Sequence, residues 1–113
     1  MDITQAVDAL SALAHPGRLA LFRLLVRAGP GGLPAGAIAR HLGVAPNTLT
    51  AQLALLTGAG LASARREGRS IIYAAELGAT RALLAFLIAD CCGGRPEICA
   101  PLAELVASPC CGN

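Results

Sequence analysis

The five cysteines of this 113-residue chain all fall between positions 91 and 111: Cys91 and Cys92 adjoin, Cys99 stands seven residues further on, and Cys110 and Cys111 form a second adjacent pair. Thiolates are soft ligands, so a vicinal pair with a third cysteine close by suits a soft metal or metalloid ion. Adjacent thiols are also suited to sensing oxidants or sulfur species. A disulfide framework is the weaker reading, because the number is odd and neighbouring cysteines are poorly placed to bridge separate elements. The start, Met1-Asp2-Ile3-Thr4, lacks the basic region and apolar stretch of a secretory signal, so a cytoplasmic protein with reduced thiols is expected. Gly93, Gly94 and Pro96 would let the chain fold back until Cys99 meets the pair. Zinc usually takes four ligands, and Cys110 or Cys111 can supply the fourth.

A second kind of chemistry is written in the charges. Residues 18 to 69 hold Arg18, Arg23, Arg27, Arg40, Arg65, Arg66 and Arg69 against the single acid Glu67, whereas both flanking stretches carry more acids than bases. A basic middle between acidic ends suggests a central unit that meets a polyanion. There is no lysine, so every side-chain cation except a protonated histidine is a planar guanidinium suited to bidentate contacts with phosphate or guanine.

The length allows one domain, and one of this size gains from a partner that buries further surface. Apolar residues make up 55% of the chain and charged ones 14%, yet no apolar helical run approaches the roughly 20 residues needed to span a bilayer. Ile3, Val7, Leu10, Leu13 and Ala14 recur at helical spacing, giving a first helix over residues 3 to 14. Pro16 opens a second, with an apolar face from Leu19 to Val26, which ends at Gly29-Pro30-Gly31-Gly32.

Ala35 to Leu42 reads as a short helix closed by Gly43, and Pro46 begins another that runs to about Thr57. Ile38, Leu42, Val44, Leu49, Leu53 and Leu56 supply the packing of this pair, which leaves Asn47, Thr48, Thr50, Ala51 and Gln52 facing outward. Leu61 to Arg66 and Arg69 to Ala75 read as two strands joined at Glu67-Gly68, a hairpin whose tip carries Arg65, Arg66 and Arg69. Leu77 to Asp90 forms a last helix, apolar almost all round through Leu83, Leu84, Phe86, Leu87 and Ile88. Such a helix must be buried, most simply against another subunit. Glycines and prolines interrupt residues 91 to 113 repeatedly.

The expected fold is therefore mainly α with a β-hairpin: four helices, two strands and a fifth helix, the winged helix-turn-helix plan. In it the second helix of the turn enters the major groove and the hairpin lies along the backbone or minor groove. Asn47, Thr48, Thr50 and Gln52 are residue types that reach base edges, and the methyls of Thr and Ala pack against thymine. The plainer alternatives are a solvated helix surface for these residues and, for the arginines, a strand edge protected from aggregation by charge.

Residues 12 to 25, ALAHPGRLALFRLL, and residues 41 to 73, HLGVAPNTLTAQLALLTGAGLASARREGRSIIY, resemble the opening signature and the recognition helix and wing of the ArsR/SmtB family of metal-responsive repressors. The resemblance covers about residues 5 to 91. It implies a homodimer joined through its first and last helices, with Val7, Leu10, Leu83, Phe86 and Leu87 at the interface, that leaves double-stranded operator DNA when a metal or metalloid binds. Residues 1 to 90 would then be the DNA-binding and dimerisation domain and 91 to 113 an inducer-binding tail. Where members often carry Ser before the recognition helix and His within it, this chain has Ala45 and Ala51 or Gln52, which weakens the helix cap and leaves the operator sequence open.

Two of the family's inducer sites lack their ligands. Residues 35 to 42 contain no cysteine, and Leu77 to Asp90 has one acid and no histidine. His15 and His41 read as capping or surface residues. CCGGRPEIC, residues 91 to 99, is similar to the three-thiolate site of some arsenic-responsive members, which implies trivalent arsenic or antimony on Cys91, Cys92 and Cys99; for Cys110 and Cys111 an accessory part in capture, a second site and no role all stay open. No permanent cofactor is expected. Redox sensing and a zinc or other soft-metal response stay open as alternatives. With no C-x-x-C beside a βαβ pattern and no anion loop around a cysteine, the chain is not expected to be an enzyme.

Overall fold

The computed structural model describes residues 1–89; Asp90 and the expected tail, with all five cysteines, lie outside the described residues. The elements in order are α1 (Ile3–Leu13), α2 (Pro16–Ala28), β1 (Leu33–Pro34), α3 (Ala35–Leu42), α4 (Pro46–Gly58), β2 (Ala62–Glu67), β3 (Ser70–Ala75) and α5 (Leu77–Ile88). This is a winged helix-turn-helix, mainly helical with one small antiparallel sheet.

Local sequence sets the starts of the first two helices. Asp2 Oδ1 accepts from the Gln5 N–H at 2.8 Å while the Asp2 N–H donates to Gln5 Oε1 at 2.9 Å, a reciprocal cap that satisfies donors the helix leaves open. His15 caps α2, its Nδ1 accepting from the N–H groups of Gly17 at 3.0 Å and Arg18 at 3.4 Å, with Pro16 as first helical residue. The two helices meet at 99°. Arg18 fastens that corner by donating from Nε to the Ala12 carbonyl at 2.7 Å. Neither α3 nor α4 has a side-chain cap, since Pro34 and Ala45 stand at those positions.

The strands lie in the order β1-β3-β2, all antiparallel. Two differences from the sequence reading stand out. First, β1 is an additional strand, its Leu33 and Pro34 opposite Tyr73 and Ile72. Two residues carry no alternation to read; Gly32, at φ +70°, brings the chain so close that a Cβ there would lie 2.5 Å from the Tyr73 carbonyl oxygen. Second, Glu67 pairs with Ser70, so the hairpin turns on Gly68 and Arg69 rather than Glu67 and Gly68. A two-residue hairpin loop needs a positive φ at its first position, and Gly68 provides it at +63°.

Leu21 and Leu25 of α2, Ile38 of α3, Leu49 and Leu56 of α4, and Leu61 are the large side chains wholly withdrawn from solvent. Each such burial contributes roughly 1.5–3 kcal/mol. The two outer helices behave differently. On α1 the core side is Ala6, Ala9 and Ala12, while Ile3, Val7 and Leu10 are exposed. On α5 Leu83 alone is buried, and Leu77, Leu84 and Leu87 are exposed.

The approach at Gly32 yields a stability test. Gly43 is also left-handed, at φ +67°, but nothing stands within 4 Å of a Cβ there, whereas at Gly32 both the Tyr73 carbonyl and Ile72 Cγ2, 2.8 Å away, are in the way. Gly43→Ala should cost roughly 1–2 kcal/mol, the ordinary left-handed penalty. Gly32→Ala should cost clearly more, read as a larger fall in the urea midpoint.

Candidate nucleic-acid interface

Helix α4 is held by one face and leaves the other free. Its buried residues are Leu49, Gln52, Leu53 and Leu56, the i, i+3, i+4, i+7 stripe of an amphipathic helix. Asn47, Thr48, Thr50 and Ala51 are exposed, so four of the five candidate reading residues form one outward surface. The Thr50 hydroxyl donates to the Pro46 carbonyl at 2.9 Å. Its proton is thereby committed, and its lone pairs and methyl remain for a partner.

Gln52 departs from the expectation that it faces outward. It is only 8% exposed, and its Nε2 fills the space above Gly17: a Cβ on that glycine would lie 2.5 Å from Nε2 and 3.1 Å from His15 Cε1. Its Oε1 has no hydrogen-bond partner among the described residues. The residue thus seats α4 on the start of α2, which the polar type of the side chain conceals. Its place between Leu49 and Leu53 on the apolar stripe is the signal in the sequence that reveals it.

The three hairpin arginines also separate. All three are exposed, but Arg66 and Arg69 form no ion pair among the described residues. Arg65 is engaged within the protein. Its Nε donates to Glu67 Oε2 at 2.7 Å, Nη2 to the Gly31 carbonyl at 2.8 Å, and Nη1 to the Pro30 carbonyl at 3.3 Å. Arg18, half-buried, likewise commits its Nε to Ala12, while Arg23, Arg27 and Arg40 are exposed. Two of the seven arginines, Arg18 and Arg65, therefore have guanidinium donors already committed within the protein.

Of the expected interface set, Val7, Leu10 and Leu87 are exposed, at 53%, 42% and 49%. Leu83 is not available to a partner, being 4% exposed within the core, and Phe86 packs against that core half-buried. They lie on the inward side of α5, which a helix apolar all round does not reveal in its sequence. Ile3 and Leu84 are exposed apolar residues on the same two helices. The expected ligands Cys91, Cys92 and Cys99, with Cys110 and Cys111, lie outside the described residues.

This arrangement is shared with known proteins. A helix-turn-helix domain family matches residues 13–63, from the end of α1 to the start of β2. The homodimeric winged helix-turn-helix DNA-binding domain of Mb0332 from Mycobacterium bovis, a possible ArsR-family transcriptional regulator, is 32% identical with a TM-score of 0.64, over 78% of this chain and 81% of that one. The transcriptional repressor BigR from Xylella fastidiosa is 29% identical with a TM-score of 0.59, over 74% and 86% of the two chains. A possible transcriptional regulator for arsenical resistance is 29% identical, also with a TM-score of 0.59, over 88% and 94%. No match was found among curated proteins.

The contrast between the two faces of α4 can be tested on DNA selected from a random pool. Asn47→Ala should weaken binding to the selected site by about tenfold and relax preference at one base pair, as loss of a base contact does. Gln52→Met, which keeps the volume and removes the orphan oxygen, should stay within about threefold of wild type with preferences unchanged. Fluorescence anisotropy against the selected site and its single-base variants reads both.

Proposed function

The chain belongs to the ArsR family of winged helix-turn-helix transcriptional regulators, and from that premise we propose that it is a homodimeric repressor that leaves its operator when trivalent arsenic or antimony is held by Cys91, Cys92 and Cys99. Such a protein works in the cytoplasm on double-stranded DNA. The family is one of regulators, not of enzymes.

The observation that carries the dimer is the inversion of α1. A helix that turns Ala6, Ala9 and Ala12 inward and leaves Ile3, Val7 and Leu10 exposed gains little from its own protomer and much from a second apolar surface. Leu84 and Leu87 are likewise exposed on α5. A twofold axis through these helices would present two copies of α4 to successive major grooves, about 34 Å apart.

The inducer assignment is supported by donor chemistry and by position in the chain. Three thiolates match a thiophilic trivalent ion in number and softness, and one protein of similar fold is described as a possible transcriptional regulator for arsenical resistance. Cys91 follows the end of α5 at Ile88 by three residues. Binding displaces the thiol protons and ties the segment that continues from the dimer helix. A shift in helix packing there changes the separation of the two α4 copies, and a coupling of about 1–3 kcal/mol lowers operator affinity roughly 5- to 150-fold.

An anisotropy titration of the protein–operator complex under reducing conditions tests this, using arsenite, antimonite, zinc and cadmium. Arsenite and antimonite should release wild type and the Cys110→Ser and Cys111→Ser variants, and should leave Cys91→Ser, Cys92→Ser and Cys99→Ser bound. Undiminished operator binding in excess arsenite would reject the inducer. Release by zinc alone, or by oxidants alone, would assign the cysteines to a metal or redox response instead.

A further inference from the structure

We infer that Arg65 is a positioning residue that clamps the wing to the turn before β1, and that Arg66 and Arg69 carry the wing's contact with phosphate. The inference rests on reading the hairpin as a DNA-contacting wing.

The strand register places Arg65 opposite Ile72, and Ile72 opposite Pro34, so the three residues form one row across the sheet. Paired residues of an antiparallel ladder share a face. Ile72 is buried, which puts Arg65 on the body side of the hairpin, and Arg66, paired with the exposed Ile71, on the other. From there the guanidinium reaches Pro30 and Gly31, 35 and 34 residues away in sequence. Backbone pairing joins β3 to β1; Arg65 adds a link from the outer strand β2 to the chain just before β1.

The planar fork is what this site requires. Three N–H donors go to three acceptors on two separate segments, a geometry that a lysine ammonium on a flexible stem does not reproduce. An exposed ion pair alone contributes little, and the Arg65 and Glu67 side chains are 45% and 56% exposed. The carbonyl pair in the neighbouring turn makes the difference, because it fixes the hairpin relative to the helices. Glu67 is the lone acid between residues 18 and 69 and sits beside the hairpin turn, where a free carboxylate would repel phosphate. Pairing with Arg65 neutralises it.

Arg65→Lys separates a clamp from a phosphate ligand, since lysine serves phosphate well as a point charge. If Arg65 is a clamp, both Arg65→Lys and Arg65→Gln should raise amide hydrogen exchange of wing residues 64–72 in the DNA-free protein by about tenfold, with exchange in α2 and α4 unchanged. Operator affinity of both should fall by a similar factor, roughly five- to tenfold. Arg66→Gln should leave wing exchange unchanged while weakening operator binding and lowering its salt slope by about one, as loss of a phosphate contact does; an unchanged salt slope would overturn the assignment of Arg66. Unchanged wing exchange in Arg65→Gln, or near-wild-type affinity in Arg65→Lys, would overturn the inference. Should the wild-type protein bind no DNA, the wing reading fails, and the exchange measurement still decides the clamp.

Discussion

Leu49, Leu53 and Leu56 hold α4 against a core that includes Leu21, Leu25 and Ile38, and this burial fixes the direction of every side chain on the helix's outer face. A helix packed by one stripe has a defined rotation about its axis. Asn47, Thr48, Thr50 and Ala51 are therefore presented as a set. Gln52 adds a polar seat within the same stripe, resting on the start of α2 where Gly17 leaves room for its amide. An orphan buried oxygen is costly, and at this position it accompanies a close approach of the amide to Gly17, where a Cβ would make the glutamine shift.

The remaining elements are arranged around that seating. His15 and Arg18 fix the corner between α1 and α2, so the placement of α1 is tied to the helix on which Gln52 rests. β1 and the Arg65 fork tie the sheet to the chain between α2 and α3. The outer helices are the exception. Their large apolar side chains are left in solvent while alanines and Leu83 serve the core, the distribution expected of surfaces that are completed by a second copy.

Arginine number was a poor guide to arginine function. Arg65 and Arg66 are adjacent and chemically identical, yet strand periodicity turns them to opposite faces, and only one of them meets carbonyl oxygens. Arg18 is likewise engaged at the helix corner. In each case a backbone acceptor captures the guanidinium, and acceptors supplied by a distant turn leave no trace in the local sequence.

Helix order, the short turn closed at Gly43 and the bounds of α3 were determined by the sequence itself, because apolar periodicity and glycine or proline punctuation are local properties of the chain. The same holds for the grouping of five cysteines beyond α5, whose meaning rests on thiol chemistry and on family resemblance. Tertiary structure alone decided which apolar face of α1 serves the core, that Leu33–Pro34 is a strand, and that Gln52 and Arg65 act within the protein. Each depends on a contact between segments far apart in sequence, such as Gly32 against Tyr73, Gln52 against Gly17, and Arg65 against Gly31. Residue type states what a side chain can bind, and packing states what it meets.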